Sequence, residues 1–255
     1  MIRLSVLVLA VVILSSAGGT AWALVFRTVS SPVGLREALR IYRREQTEKV
    51  LSTLRNHLPA PGVYTYRTTG GEGLSLMGVT RSFPSSTSMI VTEGRCATVS
   101  WVPIKEHTEA TTVCAGTDGA LNVPRLVTTE SIASTDTTSA IECPSTAYLL
   151  PPQARAGARW SASCSLQDPA EKVGLSGEVL GRSAVTVGDR TVTVEHTRIM
   201  LSFDGSEDGT NPTDYWVVPS TGLIVREKEE VGVTSGGVRY SENMVATLSG
   251  LTPAR

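Results

Sequence analysis

Histidine is the side chain whose unperturbed titration falls near neutral pH, and the chain has three, His57, His107 and His196. His107 follows the turn-like pair Lys105-Glu106, His196 sits beside Glu195 in a Val/Thr-rich run, and His57 closes a helical stretch where a cation suits the dipole. No G-x-S-x-G elbow surrounds any serine, and neither H-E-x-x-H nor S-x-x-K occurs. Each histidine therefore reads as solvated or structural. Glu227 and Glu229 would share one face of a strand about 7 Å apart, a spacing open to general acid–base work. Glutamates flanking Lys228 more often keep an edge strand soluble, and that is the reading taken.

Oxygen ligands at Asp204, Ser206 and Asp208 with glycine sixth, at Gly209, imitate the start of a calcium loop. The twelfth position, where a bidentate glutamate belongs, is Tyr215, so these three remain candidates while a solvated hairpin loop is favoured. Asn211-Pro212-Thr213 is no glycosylation acceptor, because proline occupies the middle. No metal or cofactor site is expected.

Cys96, Cys114, Cys143 and Cys164 form an even set without a C-x-x-C pair, which reads as two disulfides. Three connectivities exist. A hairpin centred on Lys105 sets 96 opposite 114, and Cys143 and Cys164 flank the Pro151-Pro152-Gln153 break. Sequential pairing, Cys96 with Cys114 and Cys143 with Cys164, is favoured.

The elements that carry these residues fall into three parts, 1–27, 28–62 and 63–255. Leu4–Phe26 is a charge-free apolar run long enough to span a bilayer as a helix, with Trp22 near its far end. Arg3 and Ala21-Trp22-Ala23 also fit a signal peptide cleaved near Ala23. An uncleaved single-pass anchor is favoured, because apolar character resumes at Leu24-Val25-Phe26. Arg27, Arg36, Arg40, Arg43 and Arg44 follow the run, and alone they would favour a cytoplasmic body. The cysteines outweigh them and place the body outside the cytoplasm. Ser31-Pro32 then signals a helix, expected to run from Pro32 to His57 and to stop before Pro59-Ala60-Pro61-Gly62.

From Val63 the chain alternates Val/Thr/Ile/Tyr segments with Gly, Pro, Asp and Ser clusters, the pattern of an antiparallel meander. Gly188-Asp189 is a hairpin turn, Ser131–Ser139 reads as a loop, and the buried face of Arg190–Phe203 changes near Glu195–Arg198, as at a bulge. The fold class is mainly β: a single curved antiparallel sheet, half-barrel or open barrel, behind a transmembrane and a juxtamembrane helix. The formal charge is −1, but the basic stretch Arg27–Arg55 hides an acidic body of −6 from Leu58 onward. Nucleic acid, which needs a basic footprint, is excluded as a partner.

Tyr64-Thr65-Tyr66 with Gly70-Gly71, and later Tyr215-Trp216 followed by Pro219-Ser220-Thr221-Gly222-Leu223-Ile224-Val225-Arg226, resemble an uncharacterised family of exported, N-terminally anchored actinobacterial proteins. The late hairpin also resembles the lipoprotein-carrier half-barrels of the LolA and LppX/LprG type, although this chain lacks their lipobox cysteine. That second resemblance implies an apolar groove holding acyl chains. The expectation is a membrane-anchored extracytoplasmic β domain, not an enzyme, that binds an apolar or amphipathic, lipid-like ligand in the groove of its sheet. Its partners are membrane lipid through the anchor and either that ligand or an envelope protein. The alternative is an interaction or sensor module with no pocket.

Overall fold

Alternation along a strand gives it two faces, and a sheet wide enough to curl can bury one of them within itself. A computed structural model of the chain describes residues 30–46, 57–75, 79–132, 135–166 and 171–255. The run Leu4–Phe26, with its anchor and signal readings, lies outside the described residues, as does 47–56 of the expected helix. Among the described residues no helix is long and apolar enough to cross a membrane.

Helix α1 (Leu35–Glu45) precedes fourteen strands. These are β1 (Gly62–Leu74), β2 (Val79–Ser82), β3 (Ser86–Thr92), β4 (Ala97–Ile104), β5 (His107–Ala115), β6 (Leu121–Ile132) and β7 (Thr135–Glu142). They continue as β8 (Tyr148–Leu150), β9 (Arg159–Leu166), β10 (Lys172–Val187), β11 (Arg190–Asp204), β12 (Glu207–Val218), β13 (Leu223–Ser235) and β14 (Val238–Leu248). Antiparallel neighbours follow one another from β14 back to β3 and β1, with β8 pairing β6 and β2 pairing β1 outside the ring. β14 then pairs β1 from Tyr66↔Leu248 to Leu74↔Tyr240, which closes a barrel of 12 strands. The expected half-barrel or open barrel is thus corrected. Twist and coil bring the two terminal strands together, so the sheet has a lumen where a groove was expected.

Three further expectations change for physical reasons. Pro32 does not start the helix; it bridges Ile104, and α1 begins at Leu35 behind Gly34. The helix lies against the outside of the barrel, where Ala38 and Tyr42 pack with Val63, Ile90 and Val102 and its arginines stay exposed. Within Ser131–Ser139, read as a loop, both β6 and β7 extend; their Thr/Ser composition resembles a loop while their hydrogen bonds make a hairpin. The face change in β11 falls where expected, between the buried neighbours Val194 and Glu195. The extra residues, however, sit on other strands: Leu180 of β10, between the pairs Val179↔Thr197 and Gly181↔His196, and Val225 of β13, between Trp216↔Arg226 and Val217↔Ile224. Beyond the bulge Val187 and Val194 belong to the same packed cluster as Tyr66, Met244, Ala246 and Leu248.

The wall is not equally strong all round. Among the described residues β7 meets β9 through Ile141↔Leu166 and Glu142↔Ser165, whereas β4 meets β5 along most of its length. The cysteines pair in sequence order, Cys96 with Cys114 and Cys143 with Cys164. The second bond staples the short seam. Loop separations of 18 and 21 residues make the entropic contributions nearly equal, about 3 kcal/mol each. Replacing Cys143 and Cys164 by serine is therefore expected to cost more in urea unfolding than replacing Cys96 and Cys114. Equal losses would mean that the seam needs no staple.

Candidate functional site

Inward positions of the barrel carry two chemistries. One part of the lumen is aliphatic, with Val123, Leu175, Ile199, Leu201 and Ile224 in one packed cluster. Toward the other end the same inward parity carries acids: Glu72 on β1, Glu109 on β5, Glu130 on β6, Glu207 on β12, Glu227 and Glu229 on β13, and Glu242 on β14. An internal cavity of about 150 Å³ touches both, reaching Leu126, Ile199 and Leu201 on one side and Glu109, Glu227 and Glu229 on the other.

His107 organises half of the acids. It is fully buried, and its Nδ1 lies 3.0 Å from Glu72 Oε2 while Nε2 lies 3.3 Å from Glu109 Oε1. Glu130 is 3.5 Å from Nδ1 and Glu242 4.0 Å from Nε2. Burial alone would push the imidazole pKa down, but Glu242, Glu109, Glu130 and Glu72 overcome it and hold it well above 6.5. The ring is therefore a buried cation. Glu72 is buried as well, which raises its pKa, yet His107, Arg81 and the Tyr240 hydroxyl outweigh that and hold it below the usual range. The Tyr240 hydroxyl donates to Glu72 Oε2 at 2.9 Å and lies 2.6 Å from Glu242 Oε2.

Among the described residues Glu227, Glu229 and Glu207 make no ion pair, and Glu242 meets His107 at the longer distance of 4.0 Å. Burial, with Glu109 nearby, pushes Glu227 up to about 8. Burial and the charges of Glu109, Glu242 and Glu227 raise Glu229 well above 4.5, although Asn211 Nδ2 donates to its Oε1 at 2.6 Å. Glu242 is raised by burial and by Glu109 and Glu72 despite His107. Burial, with Glu171, brings Glu207 to about 7. Glu229 Oε2, Glu242 Oε1 and Glu207 Oε1 are buried without a hydrogen-bond partner.

The residues singled out in the sequence land unevenly. Glu227 and Glu229 do share a face, but it is the inner one, and β13 is no edge strand, since it pairs β12 and β14. Their solubilising role is thus corrected, and the outward pair is Lys228 with Glu230, 2.7 Å apart. His107 is in the lumen, not solvated at the turn. His196 is on the outer wall, stacked on Trp216 with centroids 4.1 Å apart and 3.2 Å from Asp214, which also takes both arms of Arg198. His57 is exposed. Asp204 and Asp208 are cross-strand partners with three residues, 205–207, between them, where Ser206 donates to Glu171. The acidic groups close enough to share an ion lie elsewhere, as Glu72–His107–Glu130 and His107–Glu109–Glu242. A readable signal for the acidic wall was parity: Glu227, Glu229 and Glu242 occupy the alternation of Val225, Val233, Tyr240 and Met244.

No family model matches the chain, and no curated protein matches it. Among solved structures it is similar to the crystal structure of the hypothetical lipoprotein YmcC of Escherichia coli K12, at 10% identity over 84% of this chain and 97% of that one, with a TM-score of 0.35. The actinobacterial family and the acyl-carrier half-barrels gain no support from that likeness.

The lumen's charges set how stability varies with pH. Between 4.5 and about 8 for Glu227, and 4.5 and about 7 for Glu207, the native state holds protons that the unfolded chain has lost, so stability falls as pH rises. The raised His107 acts in the same sense: its contribution is complete below 6.5 and is lost as pH climbs through the folded value. Glu72 and Asp214, with lowered values, lose their contributions only on acidification below 4.5 and 3.8. Urea midpoints should therefore peak near about pH 5 and decline toward about pH 8. Glu227→Gln should remove up to about 1.4 kcal/mol per pH unit from that decline. A midpoint that climbs from acid to neutral pH would contradict the protonated acidic wall.

Proposed function

We propose that the chain is a non-catalytic, extracytoplasmic binding protein whose barrel lumen holds a small amphipathic ligand. The observation that carries this reading is the internal cavity with aliphatic side chains on one side and carboxylates on the other. A fully packed core would need no such space, because interiors are ordinarily filled to crystal density. Its volume also scales the ligand. An apolar cavity of about 150 Å³ accommodates benzene, so the enclosed part suits a body of six to eight heavy atoms. A long acyl chain would have to leave most of its length outside.

Two disulfides fit an oxidising compartment. The Leu4–Phe26 run supplies export, and when uncleaved it holds the barrel at the membrane. A docking module without a pocket has less in its favour. The exposed large apolar side chains among the described residues are Leu35, Leu180 and Met200, too few for a broad adhesive patch. Among the described residues both ring nitrogens of His107 face carboxylates, Glu72 and Glu109, and the proposal is one of binding, not turnover.

Calorimetric titration of the full chain with n-hexanol tests the reading. Hexanol should bind, and Leu201→Trp, which fills the aliphatic side, should weaken it by about tenfold or more. Far-UV circular dichroism would establish that the variant still forms the barrel. If hexanol and other short amphiphiles give no heat and no thermal shift, the lumen is not a binding site.

A further inference from the structure

The acids of the lumen divide by whether a cation serves them. Arg81 and His107 neutralise Glu72, and His107 also faces Glu130 and Glu109. Both ring nitrogens of His107 point at carboxylates, so neither presents a free lone pair to a metal ion. Glu227, Glu229 and Glu242 line the cavity beside that group, and Glu109 and Glu242 also approach His107 Nε2, at 3.3 and 4.0 Å. Glu229 is 4% and Glu242 3% exposed, yet Glu229 Oε2 and Glu242 Oε1 lack a hydrogen-bond partner and line the cavity. An unsatisfied buried acceptor costs about 1–3 kcal/mol, more when charged. It is therefore conspicuous when two face the same space. Glu229 is moreover held in place: Asn211 Nδ2 donates to its other oxygen at 2.6 Å, and Thr213 fixes Asn211 by donating to its Oδ1 at 2.9 Å.

We infer that the polar end of the luminal ligand is an organic cation, an ammonium or guanidinium, received by Glu109, Glu227, Glu229 and Glu242. This rests on the luminal binding proposed above and names the class of ligand. Geometry favours an organic cation over a bare metal ion. Each set of ligand atoms within 4.8 Å of one another includes His107, and neither Glu227 nor Glu229 joins one. N–H donors on an organic cation reach about 2.7–2.9 Å beyond the nitrogen, so they span carboxylates too far apart to share one ion. The side chains beside the acids suit the rest of such a molecule. Val231 and Val233 continue the inward face of β13, and Ile199 and Leu201 line the same cavity. Burial first and neighbouring carboxylates second raise Glu227, Glu229 and Glu242, and a bound cation would offset both. Glu109, whose side chain is 24% exposed, is the member of the set that reaches solvent.

The test compares hexylammonium, n-hexanol and hexanoate, which carry hydrocarbon tails of five or six carbons, by calorimetry on the full chain at about pH 8, where Glu227 is about half ionised. Hexylammonium should bind at least about tenfold tighter than hexanol, and hexanoate should not bind. Glu229→Gln should reduce that preference to about threefold or less. Glu227→Gln serves the same purpose if the first variant does not fold. Equal affinities for hexylammonium and hexanol overturn the inference and leave luminal binding standing. Failure of all three to bind overturns luminal binding itself. Calcium or manganese chloride displacing hexylammonium competitively would assign the acids to a metal ion and overturn the organic cation.

Discussion

The pairing of β1 with β14 is the constraint on which the rest depends. It joins the beginning of the β domain to its end, residues 66–74 against 240–248, and without it the sheet would have two edges and no inside. Closure turns strand parity into a division between lumen and surface. It also imposes close approach: Gly70, at φ +123°, lies where a Cβ would come 2.0 Å from the Asn243 carbonyl oxygen. Only glycine accepts both that conformation and that proximity. The Gly70-Gly71 pair that drew notice in the sequence is thus a requirement of the seam.

Closure has an electrostatic consequence. In an open sheet, glutamates on the concave face would be hydrated and would cost little. In a closed barrel they are desolvated together, and each raises the pKa of the next. The barrel offsets this for part of the set by placing His107 and Arg81 among Glu72, Glu109 and Glu130, which come from strands distant in sequence. It leaves Glu227, Glu229 and Glu242 to hold protons instead. A core selected only for stability would replace these by aliphatic residues of similar volume, a change that is often neutral or stabilising. Retaining acids at the expense of stability is the pattern expected of a binding surface.

The strands were legible because a half-buried strand writes its period into the sequence. Val238, Tyr240, Met244, Ala246 and Leu248 all point inward, as their alternation implies. The disulfide partners were legible because each pair closes a local loop. Closure was not, because β1 and β14 pair across some 170 residues and neither strand carries a mark that names the other. The site was hidden for the same reason: His107 meets Glu72, Glu130 and Glu242 only in the ring. Glu227 and Glu229 were visible but misplaced. A carboxylate on a strand normally faces water, and only knowledge that β13 is interior reverses the inference.

The stretch that composition misread bears on how a ligand would enter. Residues 131–139 are rich in Ser and Thr, and among the described residues β7 bonds to β6 along its length while β9 joins it at Ile141 and Glu142. An aliphatic strand there would be adhesive, and a charged one would alter the field of the lumen. Hydroxyl side chains avoid both. The cavity reaches this stretch at Thr137, Ser139 and Ile141. Immediately beyond, the Cys143–Cys164 bond limits how far β7 and β9 can part. Entry between these strands would need only the first part of β7 to move, because the disulfide holds the end at Ile141 and Glu142 and the acidic wall lies on other strands.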